Sequence, residues 1–291
     1  MSDSKTILVT GGAGFIGSHL CERLHTEGHR VISLDNYFTG SRENHVSGVE
    51  YREGHAKDIA QLIPETPDLV YHLGEYSRVA QSKEEPDVVW DLNLVGTTAV
   101  LEYCRKKKVK LVYAGSSTKF ANERADGTAG RDLSPYTWAK AVNTELVKNY
   151  GAWYDVPYAT AYFYNVYGPR ELSGKYGTVI ELFKQKYLAG EPLPVNSPGT
   201  QTRTYTHVLD TIDALMLIGK HGASEEYGIS SDDTYSTREV ADLFGGEIVM
   251  MPARATSRPS TPTDNSAARA LGWVPKRSLK EYIEACKVAR A

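Results

Sequence analysis

The stretch "KTILVTGGAGFIGSHLCERLHTEGHRVISLDN", residues 5 to 36, decides how this chain is built. A β-branched apolar run from Thr6 to Thr10 stops at a turn in which Gly11, Gly14 and Gly17 stand three apart. An amphipathic segment follows, and a second apolar run ends on Asp35. Strand, glycine turn, helix and strand form a unit that cradles a dinucleotide. The glycines permit the tight turn and let backbone N–H groups approach a pyrophosphate, which sits on the positive end of the helix. A carboxylate at the end of the second strand accepts hydrogen bonds from the adenosine ribose and repels a 2′-phosphate. The pattern therefore points to NAD over NADP.

Working outward, further apolar runs at 68 to 74, 110 to 117 and 157 to 168 alternate with helical patterns such as 93 to 108. Strands too apolar to leave one face wet, separated by helices, predict a doubly wound α/β fold with a parallel sheet covered on both sides. Beyond about residue 168 the rhythm loosens, with prolines at 169, 192, 194 and 198 and again at 252, 259 and 262. The expected division is an NAD-binding domain over 1–168 and a smaller lobe over 169–291 that binds substrate. A segment near 205–230 is expected to return to the first domain, and a helix over 278–290 to close the chain.

Composition narrows the class. With 291 residues, 41% hydrophobic content and a net charge of −3, the chain can bury a substantial core and lacks the concentrated basic surface that nucleic acid requires. The basic run "RKKKVK" at 105 to 110 reads as the solvated end of a helix, where cations suit the helix dipole. Cys21, Cys104 and Cys286 lack metal-site spacing and read as reduced thiols, and no metal is expected. No apolar run approaches the roughly 18 residues of a membrane span, so a cytoplasmic location is expected.

A second informative stretch is "GSSTKFANERADGTAGRDLSPYTWAK", residues 115 to 140, which ends in Tyr136 and Lys140. Four residues apart on a helix, the two share a face. Free tyrosine ionises near pH 10, about three pH units too high for a base working near neutrality. A cation at about 4 to 5 Å favours the phenolate by roughly 3 to 4 kcal/mol at an effective dielectric near 20. His72 and His207, by contrast, have no partners at ligand spacing and read as structural.

The three-apart glycines, "LDNYFTGSREN" (34 to 44) and Tyr-x-x-x-Lys resemble the extended short-chain dehydrogenase/reductase family, and so do "HLGEYSRVAQS" (72 to 82), "NLVGT" from Asn93, "NVYGPR" (165 to 170) and "QTRTYTHVLD" (201 to 210). The likeness spans nearly the whole chain and is nearest to the nucleotide-sugar epimerases and dehydratases. It implies a Ser117, Tyr136 and Lys140 set acting on the sugar's C4 hydroxyl. It also implies NAD contacts from Gly11, Gly14, Phe15, Ile16, Gly17, Asp35, Asn36, Asp58, Ile59, Leu73 and Asn93, besides Tyr136 and Lys140. Substrate contacts are implied at Thr118, Lys119, Asn165, Arg203 and Arg254, with the two arginines on the diphosphate. A homodimer, through the helices that carry Asn93 and Tyr136, is implied as well.

What becomes of the 4-keto sugar turns on the two residues after Ser117. Retaining dehydratases place Asp and Glu there, because eliminating water needs a base and an acid. Here they are Thr118 and Lys119, which favours epimerisation of a UDP-hexose or UDP-N-acetylhexosamine. Inverting dehydratases also carry a lysine at the second position but precede it with Asp, so a dehydratase is the alternative. A non-catalytic NAD-binding regulator is the alternative of another class. The chain departs from the pattern of the family it resembles at Glu75, where a small Ala or Gly is usual, at "FAN" from Phe120 and at Tyr162.

Overall fold

The computed structural model of the chain describes residues 4–120, 134–253 and 263–288, with the backbone alone at residues 119 and 120. The first strands are β1 (Thr6–Thr10), β2 (Arg30–Asp35), β3 (Glu50–Glu53), β4 (Leu69–His72), β5 (Lys110–Ser116) and β6 (Tyr158–Phe163). Short strands β7 (Val166–Tyr167), β8 (Leu193–Asn196), β9 (Thr202–Thr204) and β10 (Thr206–His207) follow, then β11 (Glu226–Ile229), β12 (Thr234–Ser236) and β13 (Ile248–Met251). The helices are α1 (Phe15–Thr26), α2 (Ile59–Leu62), α3 (Pro86–Val89), α4 (Gly96–Lys107), α5 (Pro135–Tyr154), α6 (Val179–Ala189), α7 (Val208–His221), α8 (Thr237–Phe244), α9 (Ser266–Ala270) and α10 (Leu279–Val288). None of the described helices is long and apolar enough to cross a membrane.

A seven-stranded parallel sheet runs in the order β11-β6-β5-β4-β1-β2-β3. Its strands are apolar on both faces because both faces are covered. Ile7, Val9 and Val31 point to one side, where they meet Leu20 and Leu24 of α1 and Leu215 and Ile218 of α7. Leu8, Ile32 and Leu34 alternate to the other side and meet Val100, Leu101 and Cys104 of α4 and Val147 of α5. Each large side chain so removed from water contributes about 1.5–3 kcal/mol. The winding direction reverses between β1 and β4, which leaves a crevice beyond their carboxyl ends.

A third apolar cluster joins Tyr167, Phe183, Leu193, Val195, Phe244 and Ile283, drawn from α6, α8, α10 and the short strands. Between its sequence segments, α7 and β11 lie on the main sheet, and the Trp273 indole donates to the Asp210 carbonyl at 2.8 Å. The basic run at 105 to 110 ends α4, which Lys108 closes in the left-handed conformation. The apolar run at 157 to 168 is not one strand. Asn165 takes φ +38 and ends pairing after Phe163, so β7 pairs instead with β10. The polar strand β3 carries no apolar run that its sequence could announce.

Candidate active site

The turn after β1 shows why its glycines are there. Gly11 has φ +71, and a Cβ on it would lie 2.8 Å from the backbone of Gly74. A Cβ on Gly17 would lie 2.0 Å from the Gly11 carbonyl, so neither position admits a side chain. Gly14 caps α1 without a side-chain hydrogen bond, and the first turn of α1 holds no acidic residue. Its N–H groups are thus left for an anion. Asp35 is buried, and burial raises its carboxyl above the ordinary range against the pull of the Tyr37 and Ala13 amides. Those amides donate to it at 2.8 and 2.9 Å, one to each oxygen, which leaves acceptor capacity on both for a ribose diol. The bare helix terminus, the backbone with no room for a Cβ and the held carboxylate fit a dinucleotide.

A cavity of about 380 Å³ runs from this turn along the carboxyl edge of the sheet. Gly11, Gly14, Phe15, Ile16, Gly17, Asp35, Asn36 and Leu73 line one end, and Ser117, Thr118, Tyr136, Lys140 and Asn165 line the rest. Asp58, Ile59, Asn93 and Arg203 do not line it. Ile59 is core beneath α4. Asn93 clamps the chain after β4, accepting from the Tyr76 amide at 2.7 Å and donating to its carbonyl at 3.1 Å. Arg203 lies half-buried in β9, paired with β12, and donates to the Thr202 carbonyl. Arg254 and the Lys119 side chain lie outside the described residues.

Tyr136 and Lys140 owe their placement to the start of α5. Ser134 caps that helix in a reciprocal box with Thr137, and Pro135 occupies the first turn, so the helix begins just where Tyr136 must face inward. The Tyr136 ring packs with Tyr76, Val89 and Leu92, and its hydroxyl has no partner among the described residues. Ser117 likewise has none, while Ser116 accepts from the Thr118 amide and hydroxyl at 3.3 and 3.0 Å. The Lys140 ammonium donates to the Ala114 carbonyl at 2.6 Å, sits 5.0 Å over the Tyr113 ring and pairs with the Glu75 carboxylate. His72 is fully buried between Thr10 and Thr97, and burial pushes it down to about 4. His207 caps α7, and burial likewise pushes it down to about 4.

Two residues of this site escaped the reading of the sequence. Arg78 lines the cavity and donates to the Tyr176 carbonyl at 2.5 Å and to Ser77, with no ion pair among the described residues. Glu171 stands behind the wall formed by Leu172 and Thr178, and burial pushes it up to about 7 against the pull of Thr178 and Arg78. The available signal was the arginine six residues beyond His72, in the loop that leaves β4 at the crevice. Tyr162 turns away from the cavity, its hydroxyl donating to Glu226 at 2.6 Å.

Comparison with known proteins agrees with this geometry. Residues 7–230 match the NAD dependent epimerase/dehydratase family. A UDP-glucose 4-epimerase of Mycolicibacterium smegmatis is 30% identical over 95% of this chain and 95% of its own. UDP-glucuronic acid decarboxylase 6 of Arabidopsis thaliana is 29% identical over 95% of this chain and 86% of its own. The crystal structure of a UDP-glucose 4-epimerase from Thermotoga maritima with UDP-glucose superimposes with a TM-score of 0.90, at 28% identity, over 98% of both chains. With the family match running from residue 7 to 230 and a relative 30% identical over 95% of its length, the chain belongs to the NAD-dependent epimerase/dehydratase family of extended short-chain dehydrogenases/reductases.

Proposed function

We propose that the protein inverts C4 of a nucleotide sugar, a UDP-hexose or UDP-N-acetylhexosamine, through a transient 4-keto sugar. The observation that carries this reading is the unpaired Tyr136 hydroxyl, which shares the cavity wall with an unpaired Ser117 and with Lys140 one helical turn away. NAD bound in the crevice supplies the hydride acceptor and donor. The first turn of α1 holds its pyrophosphate and Asp35 its adenosine ribose. Tyr136 would take the proton of the C4 hydroxyl as that carbon becomes the ketone, and would return it to the same oxygen when the ketone is reduced from its opposite face. Ser117 donates to the reacting oxygen in both directions, so no acid or base is needed from Thr118.

In this reading residues 1–168 hold the cofactor and 169–291 the nucleotide sugar, with α7 and β11 serving the first unit. Asn165 touches the diphosphate from the cavity wall and also donates to the Thr204 carbonyl at 2.8 Å, beside Arg203 on β9. Arg203 and Arg254 are given to the diphosphate by the family resemblance alone, since Arg203 stands outside the cavity lining and Arg254 outside the described residues. The protein pairs as a homodimer through the exposed Trp90, Val95 and Trp138, two of whose rings meet edge-on at 5.7 Å.

Arg78 favours a second reading. A cation without an ion pair beside the reacting corner suits a sugar that carries a carboxylate, and a 4-ketone beside a C6 carboxylate can lose CO₂. Proton NMR of purified protein with NAD and UDP-glucose, UDP-N-acetylglucosamine, UDP-glucuronic acid or dTDP-glucose separates the outcomes. Inversion at C4 with C6 retained is expected. A UDP-pentose product would establish the second reading, and a 4-keto-6-deoxy product would overturn both.

A further inference from the structure

The corner that holds Lys140 contains a carboxylate the reaction does not call for. Glu75 sits in the loop leaving β4 with its side chain 2% exposed, and it is saturated with donors. One oxygen pairs with the Lys140 ammonium. The other accepts from the Thr97 hydroxyl at 2.8 Å, the Asn143 amide at 2.8 Å and the Tyr113 hydroxyl at 3.2 Å. An ammonium has three donors. In Lys140 one goes to Glu75 and one to the Ala114 carbonyl, so a single N–H remains for the cavity.

The hydrogen-bond directions fix this arrangement back to the glycine turn. Because Thr97 donates to Glu75, it accepts from Nε2–H of His72, at 2.9 Å. The Nδ1 of His72 then accepts from the Thr10 hydroxyl at 2.6 Å, and Thr10 accepts from the Gly74 amide at 3.1 Å. His72 is therefore the neutral Nε2–H tautomer and adds no second cation. Of the other groups facing this corner, Tyr113 is kept neutral by burial, and Arg78, within electrostatic reach of Tyr136, is a second cation that the Glu75 variants leave in place.

We propose that Glu75 is a positioning residue that offsets the charge of Lys140 and takes one of its donors, so that it sets how strongly Lys140 stabilises the phenolate of Tyr136. A negative charge bound directly to the ammonium cancels most of the potential that the ammonium projects further away. The proposal rests on Tyr136 as the proton-transfer group. It goes further by naming the residue that tunes it.

Ultraviolet difference titration of each protein against its Tyr136→Phe counterpart isolates the ionisation of this one phenol. Removing the charge with Glu75→Ala or Glu75→Gln is expected to lower its midpoint by roughly one to two pH units, whereas Glu75→Asp should follow the unaltered protein. Alanine has the small size usual at this position, and glutamine keeps the shape, so agreement between the two separates charge from packing. The acid limb of kcat for UDP-glucose should move down in step, with KM changed less than kcat. A midpoint that stays put or rises in both charge-removing variants would overturn the role of Glu75. Turnover that survives Tyr136→Phe would instead overturn the reading of Tyr136, and the titration would still decide what Glu75 does.

Discussion

Replacing Glu171 by glutamine is expected to make the stability of the protein less dependent on pH, and burial sets the size of the effect. The carboxyl is pushed up to about 7 from its ordinary 4.5, chiefly by burial, with Glu181 adding to the rise and Thr178 and Arg78 opposing it. The folded protein thus binds this proton more tightly than the unfolded chain. Its contribution to stability is fully present below about pH 4.5 and is lost as pH rises toward 7. Linkage with these two values gives a loss of about 0.8 kcal/mol at pH 5 and about 3.3 kcal/mol at pH 8. Glutamine carries no charge at either pH and keeps the shape of the side chain. The stability advantage of Glu171→Gln over the parent should therefore grow by about 2.5 kcal/mol from pH 5 to pH 8. Urea unfolding at the two pH values, at one ionic strength, measures this directly. Other groups whose protonation differs between the folded and unfolded chain, such as the buried His19 and His207, are shared by both proteins and cancel. An advantage that is the same at both pH values, or shrinks on going to pH 8, would refute a buried, proton-holding Glu171.

Tyr136→Phe should reduce sugar turnover by about 10²- to 10⁴-fold while calorimetry finds NAD binding nearly unchanged, since only the proton acceptor is removed. Asp35→Ala removes charge-assisted hydrogen bonds worth about 1.5–3 kcal/mol, so fluorescence titration should show NAD binding about 10- to 150-fold weaker and discrimination against NADP reduced. Trp138→Glu combined with Val95→Glu places charge on the proposed dimer face, and sedimentation velocity should report a monomer where the parent sediments as a dimer.

The parts of this protein that were legible in its sequence are those fixed by neighbours in the chain. The glycine turn, Asp35 at the end of β2 and the Tyr136, Lys140 pair each depend on residues within one strand–helix unit or one helical turn. Their spacing already contains their geometry. Asn93, Asp58 and Ile59 lie in the right region, but whether a side chain enters a cavity or the packing beneath it depends on helix rotation, which spacing alone does not give. In the structure Asn93 serves the backbone of Tyr76 and Ile59 the core. Arg78 and Glu171 meet only because the chain beyond β6 folds back over the crevice. No local pattern links residues so far apart. The departure at Glu75 was visible as an unusual residue, but its partners come from β5, α4 and α5, and only their convergence makes it an ion-pair site.

Two buried carboxylates decide where the cavity keeps its positive charge. Glu75 is bound to Lys140 and held by three further donors, so the lysine that the sequence marks as the principal cation enters the cavity as half of a neutral pair. Glu171, pushed up to about 7, holds its proton through the acid side of neutrality and leaves the Arg78 guanidinium uncompensated. Positive potential therefore concentrates at the N-terminus of α1, which suits a pyrophosphate, and at Arg78, which faces the reacting corner. As pH rises through neutrality, Glu171 ionises and its charge opposes that of Arg78 at a distance, without the direct ion pair that Glu75 makes with Lys140. The cavity then loses positive charge at its sugar end, while the N–H groups at the start of α1 do not titrate and keep theirs. For the anionic sugar of the second reading, retention should weaken as pH rises through neutrality, whereas the first turn of α1, which would hold the pyrophosphate, carries no acidic residue to titrate.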